Sequence, residues 1–286
     1  MNQTSFKLGL GIDFGMPEIS APDRIKIIAD VGFDSVFTGY GGTRKLEALA
    51  NEIEKNNLIY QSVHAPFKRI DKMWKRSLET KAVFDELASC VRDCGRFGIG
   101  IMICHVWIGF LRERPNVTGI RNFAALLDIA EKSNVKIAFE NTEGERYLEC
   151  LFEKLGDHPS LAFCIDTGHE LCYNRGRDMI GKYGRDGKLV ATHLNDNLGV
   201  TGKKITWLDD AHLLPFDGVC DWDNCAKRLV DVGYSGILTS ELTVKSKPDR
   251  HENERYSSLS CEEYVKLAYE RALRIAKMTD AQRSSK

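Results

Sequence analysis

One repeated event constrains this chain more than any other: an apolar run stops, and a histidine or a carboxylate follows. His64, His105, Glu140, Asp166, His193 and Glu241 each stand directly after such a run. From His64 onward they are 41, 35, 26, 27 and 48 residues apart. Each gap is about one strand–helix unit, the last widened by an irregular stretch. The anchor is Leu161 to Ile165, followed by Asp166-Thr167-Gly168-His169. That run is too short for a helix, is bounded by Pro159 and Gly168, and suits a buried strand. One such end can be a hydrogen-bonded strand terminus with a helix cap. Six are hard to explain as structure alone, because converging carboxylates repel one another and lose hydration unless a cation neutralises them.

The sequence between these points alternates strand and helix. Segments 7–14, 33–37, 58–63, 99–104, 135–139, 161–165, 189–192 and 236–240 read as eight strands. Helical periodicity marks 22–31, 46–54, 117–133, 147–155, 221–232 and 261–277, with a long helix through Leu78 and Val91 to Gly95. A helix and a Gly-rich turn are expected between the sixth and seventh strands, and an irregular stretch over 195–221. Eight units without a linker predict an α/β fold, a single (β/α)8 TIM barrel over residues 1–280, with a C-terminal tail at 281–286 that frays over 284–286. A doubly wound sheet would gather its chemistry at one crevice, not at six strand ends. In a barrel all six residues ring the C-terminal mouth. Oxygens of Glu140, Asp166 and Glu241 with one imidazole suit one divalent metal ion: Mn, Mg, Co or Zn.

Composition narrows the class. At 286 residues and 43% hydrophobic the chain has ample material for a soluble core. Its net charge of −1 gives no overall field for nucleic acid. Nine cysteines, an odd number with no CxxC pair, suit thiols in a reducing compartment. There is no apolar leader and no apolar run of membrane length, so a cytoplasmic protein is expected.

Other stretches leave alternatives open. Lys68, Arg69, Lys72, Lys75 and Arg76 flank Met73 and Trp74. They read as a solvated loop and helix start, as a lid over a sugar phosphate or glycoside, or as a DNA grip with apolar wedges. Trp107, Trp207 and Trp222 fall near loop ends, where an indole either stacks on a sugar or packs the rim. Tyr40 and Phe14 follow the first two strands and could line a pocket. The polar loop 245–258 suits a lid or a contact in a homo-oligomer.

Several of these stretches together resemble the xylose-isomerase-like barrels, which include sugar-phosphate isomerases, ketose 3-epimerases and type IV apurinic endonucleases. The carriers are His64-Ala65-Pro66, Glu140-Asn141-Thr142, Asp166 to His169, His193 to Asn197, Asp210 to Pro215, Gly218 and Glu241. The resemblance covers nearly the whole chain and implies one divalent metal on Glu140, Asp166, His193 and Glu241. It implies a sugar substrate facing His64, His105, His169, Asp210, His212 and Trp107. Glu140 and Glu241 would be acid and base around a metal-stabilised enediolate. The epimerases carry an arginine shortly after the counterpart of His193. Here Asn197-Leu198-Gly199 stands there, a departure where ketose oxygens are recognised.

The endonuclease branch implies a three-zinc site, and nine ligand types match: His64, His105, Glu140, Asp166, His169, His193, Asp210, His212 and Glu241. Against it stand the missing basic field, Glu143 and Glu145 where those enzymes carry Ala and Gln, and an Asp210 to Gly218 stretch of the sugar-isomerase kind. A carbohydrate-binding barrel without activity of its own is a third reading. Nucleic acid is thus the less expected partner and a small sugar the expected one.

Overall fold

The structure, a computed structural model, describes residues 4–110 and 114–285. Eight strands form its centre: β1 (Leu8–Gly11), β2 (Ser35–Gly39), β3 (Ile59–His64), β4 (Ile101–Cys104), β5 (Lys136–Glu140), β6 (Leu161–Asp166), β7 (Leu189–His193) and β8 (Leu238–Ser240). All ladder pairs are parallel, in the order β7-β6-β5-β4-β3-β2-β1-β8. The seam between β7 and β8 closes by other means. Leu194 bridges Ser240, and the Leu194 amide donates to the Thr239 carbonyl at 2.8 Å. The Thr192 hydroxyl accepts from the Thr239 amide at 2.9 Å and donates to the Thr239 carbonyl at 3.2 Å. The expected (β/α)8 barrel is the observed fold.

Helices α1 (Ala21–Val31), α2 (Thr43–Lys55), α3 (Leu78–Arg96), α4 (Val117–Lys132), α5 (Glu145–Leu155), α6 (Thr167–Cys172), α7 (Met179–Tyr183), α8 (Trp222–Asp231) and α9 (Cys261–Ser284) follow the strands. Their ends are written locally. The Ser20 hydroxyl caps α1 ahead of Pro22, and Gly32 closes it at a φ of 112° that disfavours any side chain. Where the sequence suggests one helix after the sixth strand there are two short ones, α6 and α7. The strand expected over 7–14 is shorter, because the chain leaves the sheet after Gly11. The last helix runs past Lys277 to Ser284, where Asp280 accepts from the Thr4 hydroxyl and the Ser5 amide at 2.7 and 2.9 Å. Lys286 of the expected tail lies outside the described residues.

Strand periodicity sets the floor of the mouth. Ile103, Ala138, Cys164 and Ala191 each lie two residues before His105, Glu140, Asp166 and His193, hence on the same strand face. With Ala162 they form a small buried cluster of their own. A layer of short apolar side chains thus underlies the polar ring.

The basic stretch takes a different form. Met73 and Trp74 of the basic stretch are core residues, and the Trp74 indole donates to the Val106 carbonyl at 2.8 Å. Arg69, Lys72 and Lys75 are ion-paired to Glu86, Glu79 and Asp71. The DNA grip is therefore overturned: Ile70, Met73 and Trp74, at helical spacing, turn inward and leave no wedge. The loop 245–258 is tied to its own barrel, with the buried Asn253 amide donating to the carbonyls of Ala211 and Thr243 at 3.0 and 2.8 Å. Among the described residues no helix is long and apolar enough to cross a membrane.

Candidate metal centre

Glu140, Asp166 and His193 are the last residues of β5, β6 and β7, and Glu241 follows β8. His64 ends β3, and His105 follows β4. Parallel strands with helices outside leave their C-terminal ends one common place to point, the mouth. Glu140, Asp166, His193 and Glu241 there each offer one ligand atom, all within 4.8 Å of one another.

Glu140 is fully buried at the centre. His193 Nδ1 donates to its Oε1 at 2.6 Å, and His105 Nε2 and His64 Nε2 lie 2.9 and 3.4 Å from its Oε2. Neither of the latter two contacts is aligned as a hydrogen bond, and Glu140 Oε2 has no partner. His193 Nδ1 also lies 3.0 Å from Glu241 Oε2, and its ring stacks on Phe37 at 4.6 Å. Burial opposes ionisation of Glu140, but the His193, His105 and His64 imidazoles outweigh it and hold the carboxyl well below its usual range. Burial likewise opposes ionisation of Glu241. Charge and a hydrogen bond from His193, with His212, prevail and set it at about 2. Asp166 goes the other way, pushed up to about 6 by burial and by Glu140 and Glu241 against His169 and His212.

Asp166 is both a helix cap and a candidate ligand. Its Oδ1 accepts the His169 amide at 2.7 Å, as an N-cap of α6 does, and its Oδ2 accepts the Asn195 side-chain amide at 2.8 Å. Asn141 fixes its backbone on both sides, donating to the Asp166 carbonyl and accepting from its amide at 2.8 and 2.7 Å. Cap and ligand are compatible because a carboxylate offers about four lone pairs.

Asp210 and His212 reach the mouth from the irregular stretch. The segment folds back so that Leu213 pairs antiparallel with Asp196. Buried Asp196 then accepts from the amides of Asn197, Phe216 and Cys220 and from the Trp222 indole, all within 3.1 Å. His212 Nε2 contacts Asp210 Oδ2 at 3.0 Å, and His169 Nε2 lies 3.5 Å from Asp210 Oδ1. All nine candidate ligands thus form one network, closed by His169 to Asp166 at 3.8 Å and His212 to Glu241 at 4.0 Å. Three further ligand-type groups share these residues: Glu140-Cys164-His193, and two that add new histidines, His64-His105-Glu140 and Asp166-His169-His212.

A family model described as xylose isomerase-like TIM barrel matches residues 25–262. The chain belongs to that family. Protein y4fM of Sinorhizobium fredii is 33% identical over 150 residues, 49% of this chain but only 45% of that protein's length. Protein MJ1311 of Methanocaldococcus jannaschii is 26% identical over 256 residues, 82% of this chain and 83% of that one. A xylose isomerase-like barrel fused to a 4-hydroxyphenylpyruvate dioxygenase superposes with a TM-score of 0.74 at 15% identity, over 98% of this chain and 44% of the fusion. An IolI protein with a bound zinc atom has a TM-score of 0.73 at 16% identity, over 95% and 98%. An L-ribulose 3-epimerase has 0.69 at 14%, over 98% and 96%. At such identities these structures establish a common fold.

In this xylose isomerase-like barrel the residues fit a divalent cation. Glu140 Oε2 and His193 Nε2 are buried without a hydrogen bond within a cluster rich in carboxylates, an arrangement that costs free energy without a cation. The substrate-facing candidates divide. His64, His105, His169, Asp210 and His212 line a cavity of about 610 Å³ over the centre. Trp107 does not line it: the ring stacks on Tyr147 at 4.3 Å and its indole donates to the Gly109 carbonyl. Trp207 does line it and is half exposed, whereas Trp222 is buried on Asp196. Tyr40 lines a neighbouring cavity, while Phe14 packs on Tyr264 in the core.

Sequence reasoning assigned no role to Asn195 or Asp196, which orient Asp166 and the Asp210–His212 arm. The available signal was their place directly after the strand-end His193. It also missed Phe67, which stacks on His105 at 4.5 Å and roofs the centre.

Proposed function

We propose that the protein is a divalent-metal-dependent isomerase or epimerase of a sugar or sugar phosphate, with Glu140 and Glu241 as the proton-transferring carboxylates. One observation carries the reading: Glu140, Asp166, His193 and Glu241 converge within 4.8 Å beneath a cavity of substrate size. The zinc-bearing IolI protein and the L-ribulose 3-epimerase among structures of the same fold lend it support. A bound cation supplies a Lewis acid that stabilises charge on substrate oxygens.

The chain's own residues do the rest. Glu241 is the more accessible carboxylate, with its side chain 27% exposed, and it faces the cavity ready to take a proton from a carbon next to a carbonyl. Glu140 is the second carboxylate, joined to the first through His193 Nδ1. His64, His105, His169, Asp210 and His212 offer hydroxyl-binding groups around the substrate. Phe67 and the apolar floor give the centre a non-polar surround on two sides.

The test combines metal content with one substitution. Protein purified without chelator should carry about one equivalent of Mn, Mg, Co or Zn per chain. It should convert a member of a ketose and aldose panel, and Glu241→Gln should lower kcat by about 10²–10⁴-fold with the fold intact. Activity surviving Glu241→Gln refutes the two-carboxylate mechanism. A second reading, a zinc-dependent apurinic endonuclease, is favoured by the two additional ligand groups. About two to three zinc equivalents and cleavage at an abasic site in DNA would establish it instead.

A further inference from the structure

Two cavities open onto Glu241. The central one, about 610 Å³, contains the histidines and Asp210. A flanking one of about 420 Å³ lies on the β1–β3 side. Either volume is in the range of a complete small-molecule site, about 300–1,000 Å³. His64, Phe67, Lys68 and Glu241 are walls of both. A substrate with its reacting carbon against Glu241 therefore has room on two sides, not one.

The flanking cavity is built for a ring that also carries hydroxyls. Phe37, Tyr40 and Phe67 present aromatic surface. Asp13 supplies a carboxylate at the edge, held by Arg24 through Oδ1 alone at 3.0 Å, with its side chain 59% exposed. Apart from the shared His64 and Glu241, none of the metal-type residues lines this cavity, so it is suited to holding and not to reaction.

We propose that the flanking cavity is a second subsite and that the substrate is a glycoside whose reacting unit keeps its carbonyl, as the reducing-end unit of a disaccharide does. The unit with the reacting carbon occupies the central cavity, and the glycosidically linked ring lies against Tyr40 and Asp13. This rests on the reading of Glu241 as the group facing the reacting carbon. A free monosaccharide would use one cavity and leave the other to water.

Gly39 offers a selective block. It lines the flanking cavity only, a Cβ there meets nothing within 4 Å, and its backbone is outside the left-handed region. A side chain at position 39 therefore starts into open space on ordinary backbone, and Gly39→Leu adds its bulk to the second subsite. The experiment is calorimetric titration of the full chain, its metal content measured beforehand. The probes are D-glucose, maltose, cellobiose and the two anomers of p-nitrophenyl D-glucopyranoside. At least one glycoside should bind about 10-fold or more tighter than glucose. Gly39→Leu should remove that advantage while leaving glucose affinity and metal content unchanged. Asp13→Ala, a milder change at the cavity edge, should weaken the glycoside alone. The proposal is overturned if no glycoside gains on glucose, or if Gly39→Leu weakens both alike. Because affinity is read and not turnover, the comparison remains decisive if the metal and Glu241→Gln experiments refute the catalytic reading.

Discussion

Gly168→Ala tests how the centre is held together. Gly168 lies in the first turn of α6, and a Cβ there would stand 1.9 Å from Asn195 Oδ1 and 3.0 Å from its Cγ. Asn195 is fully buried and has no free direction in which to yield. Moving it breaks the bond from its side-chain amide to Asp166 Oδ2. A bond to a charged group is worth about 1.5–3 kcal/mol. Forcing a methyl into a packed site costs about 1–3 kcal/mol more. Alanine's helix preference over glycine returns about 1 kcal/mol. The net loss is about 1.5–5 kcal/mol, a fall in Tm of roughly 2–8 °C for a chain of this length. Metal affinity should drop by about 10–100-fold as Asp166 loses its orienting partner. Urea unfolding and chelator-competition titration measure the two effects. Asn195→Ala is the control, because it removes the nearest colliding group and leaves only the closer-than-usual Asn197 Nδ2 contact at 3.2 Å. In that background Gly168→Ala should cost no more than about 1 kcal/mol. An equal cost in both backgrounds, or wild-type metal affinity in Gly168→Ala, refutes the reasoning.

Other expectations follow from the same geometry. Asp196→Ala leaves four donors without their buried carboxylate and should destabilise by about 3–5 kcal/mol in urea. Thr192→Val keeps the shape but strips the seam of its hydroxyl, so a loss of about 1–3 kcal/mol is expected by calorimetry. In chelated protein, burial works against a charged His212 but Asp210 prevails and raises it to about 9. A raised histidine stabilises fully below its unfolded value of about 6.5 and ceases to do so as pH passes its folded value. Metal-free stability should therefore fall between about pH 6.5 and 9, by on the order of 3 kcal/mol from His212 alone. His169 and His193, where burial is likewise outweighed by neighbouring carboxylates that raise the imidazoles, add to the fall, and metal should flatten the slope. A slope unaffected by metal would place these histidines outside the metal's influence.

The sequence alone determined a good deal here. Strand–helix alternation over eight units implied the barrel, because parallel strands joined by helices have few closed solutions. The polar residues ending six strands implied a common mouth, since the fold places all such ends on one face. These are local signals, carried by periodicity and by the residue after each apolar run. Helix limits set by nearby residues, such as Ser20 and Gly32 around α1, were legible in the same way. The extension of α9 to Ser284 was not, because it depends on Asp280 meeting Thr4 and Ser5 from the other end of the chain.

Contacts between residues far apart in sequence had to await the folded chain. Trp107 and Trp207 look alike along the chain, yet one is stacked on Tyr147 and the other lines the cavity. Met73 and Trp74 could have been wedges, but burial against α4 and the Val106 carbonyl makes them core. Asp210 and His212 reach the centre only because Asp196 gathers donors from residues 216–222 and fixes the arm. The two-sided exposure of Glu241 likewise arises from loops after β1, β2 and β3 that do not meet along the chain. Sequence pattern records which face a residue takes within its own element; which side chains then share a cavity is set by packing among elements, and no local pattern encodes it.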